Sequence, residues 1–409
     1  MLSAVLLTTG CGLEDLGPPH PVDKLDYPVE LTADPSGETL WVTSGNFDLA
    51  YGGGAILGID LKTQAFIPGA AAEVGSFPGE LQLLSRDGKA AHGYVFSRET
   101  NKLYHLTIGA ADGLPTLSCE GGVEDPSGLI RCVTQGLSGQ SADSFEDPLK
   151  VGSDPFGAFL RPARLAGQED LLLSGALGEG LVATFELAED GTPSLVGNVK
   201  TSSPVFSLAE NPATGLVYTT SKNVNVLNVF RVRVDAPGTE APAQNPWLEL
   251  VDTIVLPTYS LLNMDHARGL AFTHDGARLL VLHRMPSAVY MIDVRGIEET
   301  VEDQVLTKVG VCSQPGRVEM VPPSEDGQIP ELAYISCFGK DALDVIDPTT
   351  GDHVAHIRTG RGPFGMAFVE NKALGIRRLY VANFHSQTVG VVELDPDSPY
   401  FHTQIAEIR

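Results

Sequence analysis

The sequence predicts an all-β protein, and three observations support this fold class. Gly and Pro recur too often for long helices, with 44 Gly and 28 Pro among 409 residues, because both residues interrupt helices. The apolar runs have the length of strands, are rich in Val, Ile, Leu and Tyr, and are separated by turn pairs such as Asp275-Gly276. One sequence phrase recurs along the whole chain. A hydrophobic fraction of 43% also excludes a disordered chain.

The recurring phrase divides the chain into seven units. Its anchors lie at positions 28, 78, 155, 204, 267, 315 and 363, and most intervals are close to 48 residues, a typical length for one four-stranded repeat. One such sheet cannot bury both of its faces, whereas seven sheets packed around an axis can, and the ring also hides most strand edges. The sequence therefore predicts a seven-bladed β-propeller of four-stranded antiparallel blades. We expect residues 25–409 to form this single domain, after a signal segment at 1–10 and a tether at 11–24.

The two long intervals contain insertions, and the two ends of the domain determine how the ring closes. One insertion includes Cys119 and Cys132, and the other covers the Pro-rich residues 235–246. Residues 400–409 match the outermost strand of the preceding unit, so the seventh blade is expected to be complete from its own residues. Ring closure then depends on packing, with residues 22–27 adding an edge strand.

The charge of the chain argues against nucleic-acid partners. There are 52 acidic and 27 basic residues, a formal net charge of −25, and such a surface repels phosphate backbones. Solubility alone is the simplest reason for this acidity. Beyond residue 10 the sequence has no apolar run long enough to span a membrane, so we expect membrane contact only through a lipid anchor.

The first of the five cysteines points to export. Residues 6–10 form a short apolar run that ends in small residues before Cys11, an order that resembles a bacterial lipoprotein signal. We therefore expect an exported protein that is lipid-anchored through Cys11 in the periplasm, at the outer membrane or at the cell surface. An ordinary buried cysteine is the alternative.

The other four cysteines are expected to form two disulfides. Cys119 and Cys132 flank a polar, Gly-rich stretch that needs a covalent link to become ordered. Cys312 lies three residues before the anchor at 315, and Cys337 ends the second strand of the same unit, so both reach one face of one blade. Disulfides persist in the oxidising compartments that exported proteins enter. Four reduced thiols in a cytosolic protein are the alternative.

The repeat resembles that of a known family. The segments are LYVAN at 379–383 and VVELD at 391–395, with parallel copies upstream, and they are similar to the YVTN-type repeat of YncE-like β-propellers. The similarity covers about residues 25–409 and is most specific in blades four to seven. The resemblance implies a seven-bladed exported propeller whose relatives include lactonases and quinoprotein dehydrogenases. Because propellers carry unrelated chemistries, the function has to be argued from the site.

The candidate ligand site follows from propeller geometry. The loops that lead into first strands and the loops that leave second strands emerge on one face of the ring, here called the funnel face. Polar side chains from several units are expected around this concave face, and the candidates are Asp265, His266, His283, Arg284, Lys340, Arg361 and His385. Solvated loop tips are the alternative. The histidines come from different units without local ligand spacing, so we expect no metal, and no motif indicates a cofactor.

These observations favour a non-catalytic binding scaffold over an enzyme. The chain has no Gly-x-Ser-x-Gly elbow, no phosphate-binding loop and no His-Glu-x-x-His motif. We expect a monomer that binds a protein, a peptide or an envelope polymer through the funnel face.

Two enzyme classes stay open as alternatives. An exported lactonase-like hydrolase would use Asp265, His266 and Arg284 as base or oxyanion stabiliser. A quinoprotein or a metal-dependent oxidoreductase is the other alternative. A quinone would need clustered aromatic and basic residues over the channel, for which Arg361 and Phe364 are the only sequence indication.

Overall fold

The computed structural model describes residues 17–132, 151–164, 168–233, 247–257, 267–295 and 304–409. These residues form thirty β-strands and no helix, so none of the described segments is a helix that could cross a membrane. Blade one contains β1 (Pro28–Ala33), β2 (Thr39–Ser44), β3 (Gly54–Asp60) and β4 (Ala65–Val74), and blade two contains β5 (Gln82–Arg86), β6 (Lys89–Ser97), β7 (Lys102–Ala111) and β8 (Leu114–Ser118). An additional pair follows as β9 (Val123–Glu124) and β10 (Ile130–Arg131).

The remaining five blades are built in the same way. Blade three contains β11 (Pro155–Arg161), β12 (Asp170–Ala176), β13 (Leu181–Leu187) and β14 (Pro193–Lys200), and blade four contains β15 (Val205–Glu210), β16 (Val217–Ser221), β17 (Val226–Val232) and β18 (Leu248–Val255). Blade five contains β19 (Ala267–Phe272), β20 (Arg278–Arg284), β21 (Ser287–Asp293) and β22 (Gln304–Gly310). Blade six contains β23 (Pro315–Val321), β24 (Leu332–Cys337), β25 (Ala342–Ile346) and β26 (His353–Arg358), and blade seven contains β27 (Pro363–Asn371), β28 (Ile376–Asn383), β29 (Thr388–Glu393) and β30 (Thr403–Ile408).

Each blade is an antiparallel sheet whose strands follow in chain order, which confirms the predicted seven-bladed β-propeller. The repeat anchors coincide with the innermost strands. Five of them are the first residues of β1, β11, β19, β23 and β27, and the anchor at 204 immediately precedes β15. In blade two, Pro78 pairs with Ser97 through an isolated bridge, and the regular strand β5 begins four residues later. Each anchor therefore stands where the chain enters its innermost strand from the funnel face.

The described residues form eight hydrophobic clusters, and seven of them lie between neighbouring blades, one for each pair. The eighth consists of Val29, Phe156, Leu177 and Phe206. The cluster between blades four and five, for example, packs Tyr218 and Leu227 against Leu279 and Tyr290, all fully buried. Burying such side chains stabilises the fold by about 1.5–3 kcal/mol each. The stability of each blade therefore depends on its two neighbours, as expected for a sheet that cannot bury both faces alone.

Near the axis, neighbouring innermost strands come very close. A Cβ atom on Gly157 would lie 2.5 Å from the carbonyl oxygen of Phe206 in the next blade, so glycine is required there. Side chains also bond to the backbone of the next blade: Glu80 Oε2 accepts a hydrogen bond from Ala158 N at 2.8 Å. These contacts hold the seven innermost strands in a fixed register around the channel.

The ring closes by packing between blades one and seven. Blade seven is a complete sheet of its own four strands, as predicted. The expected edge strand at residues 22–27 is wrong, because this segment forms turns and coil instead of a strand. Its Leu25 is fully buried in the cluster between the two blades, where the side chain fills the seam.

The first insertion extends blade one, which the sequence did not predict. β10 pairs in parallel with β4, and β9 pairs with β10, so the sheet of blade one has six strands. Cys119 and Cys132 are joined in a disulfide with Cα atoms 6.2 Å apart, which links the end of blade two to this extension. Cys312 and Cys337 form the second disulfide, with Cα atoms 5.6 Å apart. Both predicted pairings are confirmed, and they fit an oxidising, exported environment. The second insertion lies outside the described residues.

Candidate functional site: a cationic aromatic cavity on the funnel face

Two rings of residues form a cavity of about 270 Å³ where the channel opens on the funnel face. We call it the upper cavity. The inner ring consists of the second residues of six innermost strands, namely Val29, Phe156, Phe206, Arg268, Gly316 and Phe364. The outer ring consists of residues at or just after the ends of second strands, namely Phe47, Arg98, Leu177, Lys222, Arg284, Phe338 and Phe384. The propeller repeat thus places equivalent positions from all the blades around one space.

The walls of the upper cavity are largely aromatic. Phe156 and Phe206 lie with ring centroids 5.1 Å apart and are almost fully buried. On the other side, Phe338 lies 6.3 Å from Phe364 and 5.9 Å from Phe384. Because Phe has no hydrogen-bonding group, these walls attract apolar groups and the faces of rings.

The remaining wall positions of the upper cavity carry positive charge. Its lining includes Arg98, Lys222, Arg268 and Arg284 and, over the part of the chain that the structure describes, no acidic residue. Arg98 is neutralised from outside the cavity by Asp154, with Nε 2.5 Å from Oδ1. Arg284 donates from Nη2 to the neutral amide oxygen of Gln314 at 2.6 Å, and no carboxylate of the described residues pairs with it. The cavity is therefore positive in a protein of net charge −25.

Arg268 is the most unusual of these cations. It is 9% exposed, and its guanidinium lies 4.8 Å from the ring centroid of Phe206. Among the described residues, the one hydrogen bond of the guanidinium is to the carbonyl of Ala267 at 3.4 Å. Burial and the nearby charges of Arg284 and Arg317 lower the pKa of Arg268 to about 10. A buried cation without a counter-ion is costly to the fold, so an anion in the cavity would be bound favourably.

A buried ion cluster forms the floor of the upper cavity. Arg317 lies across the channel, with Nη2 2.5 Å from Glu30 Oε1 and 2.7 Å from Glu80 Oε1. Its guanidinium stacks under Phe156, Phe206 and Phe364, with ring centroids 4.9 Å, 5.1 Å and 5.4 Å away. The cluster therefore separates the upper cavity from the rest of the channel.

Below the floor lies a polar cavity of about 520 Å³, the lower cavity, whose lining includes Glu30, Glu80, Glu319 and Arg317. Burial raises the pKa of Glu30 and of Glu80, against the opposing charge of Arg317. Burial also raises the pKa of Glu319 to about 7, although Phe368 N donates a hydrogen bond to it at 3.2 Å. The two cavities thus have opposite polarity, cationic on the funnel face and acidic below.

The five predicted ligand-site residues that the structure describes do not line one cavity together. Arg284 lines the upper cavity. His283, in contrast, is fully buried within its blade, with its ring 4.9 Å from that of Tyr290. Its ring therefore packs inside blade five and does not line the upper cavity. Asp265 and His266 lie outside the described residues.

The other three predicted residues stand around the mouth. His385 is exposed, with its ring 5.0 Å from Phe338 and 5.2 Å from Phe384. Arg361 is also exposed and donates to the carbonyl of His385 at 3.4 Å. Lys340 is exposed in the turn after β24 and does not line the upper cavity. These side chains can contact only a ligand that extends out of the cavity.

One group among the described residues has the composition of a metal site. Cys312, Cys337 and Asp344 bring their ligand atoms within 4.8 Å of one another. Because the two cysteines are joined in a disulfide, they offer no thiolate to a metal. Asp344 instead accepts hydrogen bonds from Cys312 N and from His356, so the group is structural.

The pattern of polar loop residues does not identify most of the residues that build the upper cavity. Phe156 and Phe364 directly follow anchor prolines, and Phe206 follows the anchor at 204 by two positions. Arg268 occupies the same position in blade five. Side chains alternate between the two faces of a strand. The second residue of each innermost strand therefore indicates, from the sequence, which side chains line the channel.

The fold and the cavity define the protein as a seven-bladed β-propeller with a cationic aromatic pocket on its axis. No protein-family model and no curated protein matches the sequence.

Solved structures of similar fold have different functions. Hydrazine synthase of Kuenenia stuttgartiensis is 15% identical over 95% of this chain and 99% of that chain, with a TM-score of 0.62. The periplasmic gluconolactonase PpgL of Pseudomonas aeruginosa is 20% identical over 84% and 88%, with a TM-score of 0.60. Sqt1 of Chaetomium thermophilum is 13% identical over 96% and 88%, also with a TM-score of 0.60. At these identities the likeness shows the fold alone.

Proposed function

We propose that the protein is a non-catalytic, monomeric binding protein that takes its ligand in the upper cavity of the funnel face. The observation that carries the proposal is the lining itself, which combines phenylalanine walls with arginines and contains no Asp, Glu or His among the residues that the structure describes. General acid–base catalysis needs a group of suitable pKa within hydrogen-bond reach of the substrate. A cavity of this composition supports recognition of an apolar, anionic group better than it supports proton transfer.

The ligand is a group that belongs to a protein, a peptide or an envelope polymer and reaches into the mouth. Exposed polar residues surround this mouth, among them Arg361 and His385, and can contact the portion that remains outside. A central pocket with a polar rim is the usual arrangement of a binding site for one inserted side group.

Photocrosslinking in native envelope extract tests this proposal. A photoreactive phenylalanine at Phe384, which lines the upper cavity, should crosslink to a defined partner. The same group at Tyr400, which is 61% exposed on blade seven away from the cavity lining, serves as the control and should not. A partner that crosslinks equally from both positions, or no partner from either, would argue against a funnel-face binding site.

A lactonase-like hydrolase is the second candidate function. It is supported by the structural likeness to the periplasmic gluconolactonase, and Arg284 and Arg268 could stabilise an oxyanion. The proposed binding function predicts no turnover in a screen of lactones. If the wild type hydrolyses a lactone and both Arg284→Ala and His266→Ala abolish this activity, the protein is a hydrolase and the binding function is rejected.

The quinoprotein alternative also gains one observation. Its requirement for aromatic and basic residues over the channel is met by Phe156, Phe206, Arg268 and Arg284 rather than by the predicted Arg361. Titration with pyrroloquinoline quinone, followed by a dye-reduction assay with alcohol and sugar substrates, distinguishes a redox enzyme from a binding protein.

We also propose that a lipid on Cys11 holds the protein at a bacterial envelope. The small residues before Cys11 support this, and the two disulfides agree with export. Cys11 lies outside the described residues. Metabolic labelling with a palmitate analogue should mark the wild type and leave Cys11→Ser unmarked, and labelling of both would contradict the anchor.

A further inference from the structure

We propose that the upper cavity recognises one specific chemistry: a carboxylate attached to an aromatic or branched apolar group. The carboxylate would lie between Arg268 and Arg284, and the apolar group would pack against Phe156 and Phe206. This inference rests on the proposed binding function and specifies its ligand class.

The charge of the cavity requires an anion. Only 9% of Arg268 is exposed. Among the described residues, no carboxylate contacts its guanidinium. Arg317 beneath it is already paired with Glu30 and Glu80, so it needs no further anion. Within the described ranges, the charge of the cavity that has no carboxylate partner is therefore concentrated at Arg268 and Arg284. Arginine binds a carboxylate through two parallel N–H groups, which fixes its orientation.

The volume of the cavity limits the size of the apolar group. An apolar cavity of about 150 Å³ in another protein holds a benzene ring. The upper cavity, at about 270 Å³, therefore has room for one ring, a short linker and a carboxylate. It does not have room for a large polymer segment, which agrees with insertion of a single terminal group.

The walls select against sugars and other polyhydroxylated anions. Apart from Gln314 and the cationic side chains, the side chains that line the upper cavity have no polar atoms, and the oxygen of Gln314 already accepts a hydrogen bond from Arg284. Each buried hydroxyl without a partner costs about 1–3 kcal/mol. A sugar acid would leave several hydroxyls unpaired, whereas an aromatic carboxylate leaves none.

Such a carboxylate has two sources: a free small molecule, or the carboxyl terminus of a chain that ends in an aromatic residue. Isothermal titration calorimetry on the full chain tests the shared chemistry with 3-phenylpropionate and its neutral amide. The two sources are then compared with a hexapeptide that ends in Phe, with a free and with an amidated carboxyl terminus.

The carboxylate forms should bind at least tenfold more tightly than the matching amides, since the extra binding free energy of a charge-assisted hydrogen bond corresponds to at least that factor in affinity. Arg268→Gln should remove this preference, and so should Arg284→Gln, which lies nearer the surface. Arg295→Gln is the matched control, because Arg295 is exposed, pairs with Asp293 and lies at the opposite face, and it should bind as the wild type does. Thermal melts of each variant verify that it is folded.

Carboxylate-dependent binding of either 3-phenylpropionate or the hexapeptide supports the ligand class. Whichever of the two binds more tightly identifies the source of the carboxylate. Equal binding of acid and amide, or an unchanged preference in both folded arginine variants, would overturn the ligand class. Calorimetry tests only the ligand class, and photocrosslinking at Phe384 tests only whether the funnel face binds a partner. The two hypotheses can therefore be rejected independently of each other.

Discussion

Arg317 of β23 and Glu30 of β1 lie 287 residues apart in the sequence and meet on the axis of the ring, where Arg317 Nε donates to Glu30 Oε1 at 2.7 Å. Glu80 of blade two joins them at 2.7 Å. The pairing links blade six to blades one and two directly across the channel. It therefore closes the channel, supports the phenylalanines above it and gives the upper cavity its floor.

Removing this arginine should destabilise the ring strongly. Arg317→Met leaves Glu30 and Glu80 buried without a counter-ion, and loss of one partner of a buried pair typically costs about 3–5 kcal/mol. We expect that loss in the free energy of unfolding, measured with urea at pH 8. The difference in the free energy of unfolding between the wild type and Arg317→Met should be smaller at pH 5. Burial raises the pKa of both carboxyls, and a protonated carboxyl needs no counter-ion.

The control for this experiment removes all three charges. Arg317→Met combined with Glu30→Gln and Glu80→Gln should regain most of the lost stability, since no buried charge is then left unpaired. If Arg317→Met is as stable as the wild type at pH 8, the ion cluster does not contribute to the free energy of unfolding.

Arg268 should behave in the opposite way. It is buried, and no carboxylate in the described part of the chain pairs with it, so Arg268→Met should raise the free energy of unfolding by about 1 kcal/mol while it weakens binding of carboxylates. Arg161→Met is the matched control, because Arg161 is 6% exposed and its Nε lies 2.9 Å from Glu210 Oε1. That variant should be less stable than the wild type. A loss of stability in both variants would indicate that Arg268 has a structural role.

The fold could be predicted from the sequence because its determinants are local. All the strands of a blade lie within one repeat, and the anchors at 28, 155 and 363 mark the strands that face the channel. The parallel pairing of β10 with β4 was not predictable in the same way. It joins residues 58 positions apart, as Ile130 with Ala72, across the whole of blade two.

The candidate site was less predictable because it is assembled from all seven blades. The polar loop residues that the sequence indicated, such as His385, lie on the rim, whereas the cavity is lined by Phe156, Phe206 and Arg268 from three innermost strands. Such residues look like core positions in a single repeat. Their role emerges only when the register of neighbouring blades places them side by side.

The disulfide between Cys312 and Cys337 should stabilise blade six substantially. It closes a loop of 25 residues, and the chain-entropy relation gives about 3 kcal/mol for a loop of this length. Replacing both cysteines by Ser should therefore lower the free energy of unfolding by about that amount, measured with urea under non-reducing conditions. Adding reductant to the wild type should produce a similar loss, with free thiols counted by alkylation and mass spectrometry. No loss in the serine variant would contradict the proposed contribution.

Glu319 should make stability depend on pH between about 4.5 and 7. Burial raises its pKa from 4.5 to about 7, and the groups that face it are Phe368 N, His274 and Glu30. Since the folded pKa is raised, the folded state binds the proton more tightly than the unfolded state. The resulting stabilisation is complete below pH 4.5 and is lost as the pH rises through 7.

Glu319→Gln imitates the protonated carboxyl at every pH and keeps an oxygen that can accept the hydrogen bond from Phe368 N. At pH 8 the variant should therefore be more stable than the wild type by about 3 kcal/mol, and the difference should disappear near pH 4.5. Glu325→Gln is the control, because Glu325 is 66% exposed, and it should follow the wild type across the range. A difference between wild type and Glu319→Gln that stays constant from pH 4.5 to 8 would show that folding does not raise the pKa of Glu319, and that the lower cavity hydrates this carboxyl as fully as the protein surface would.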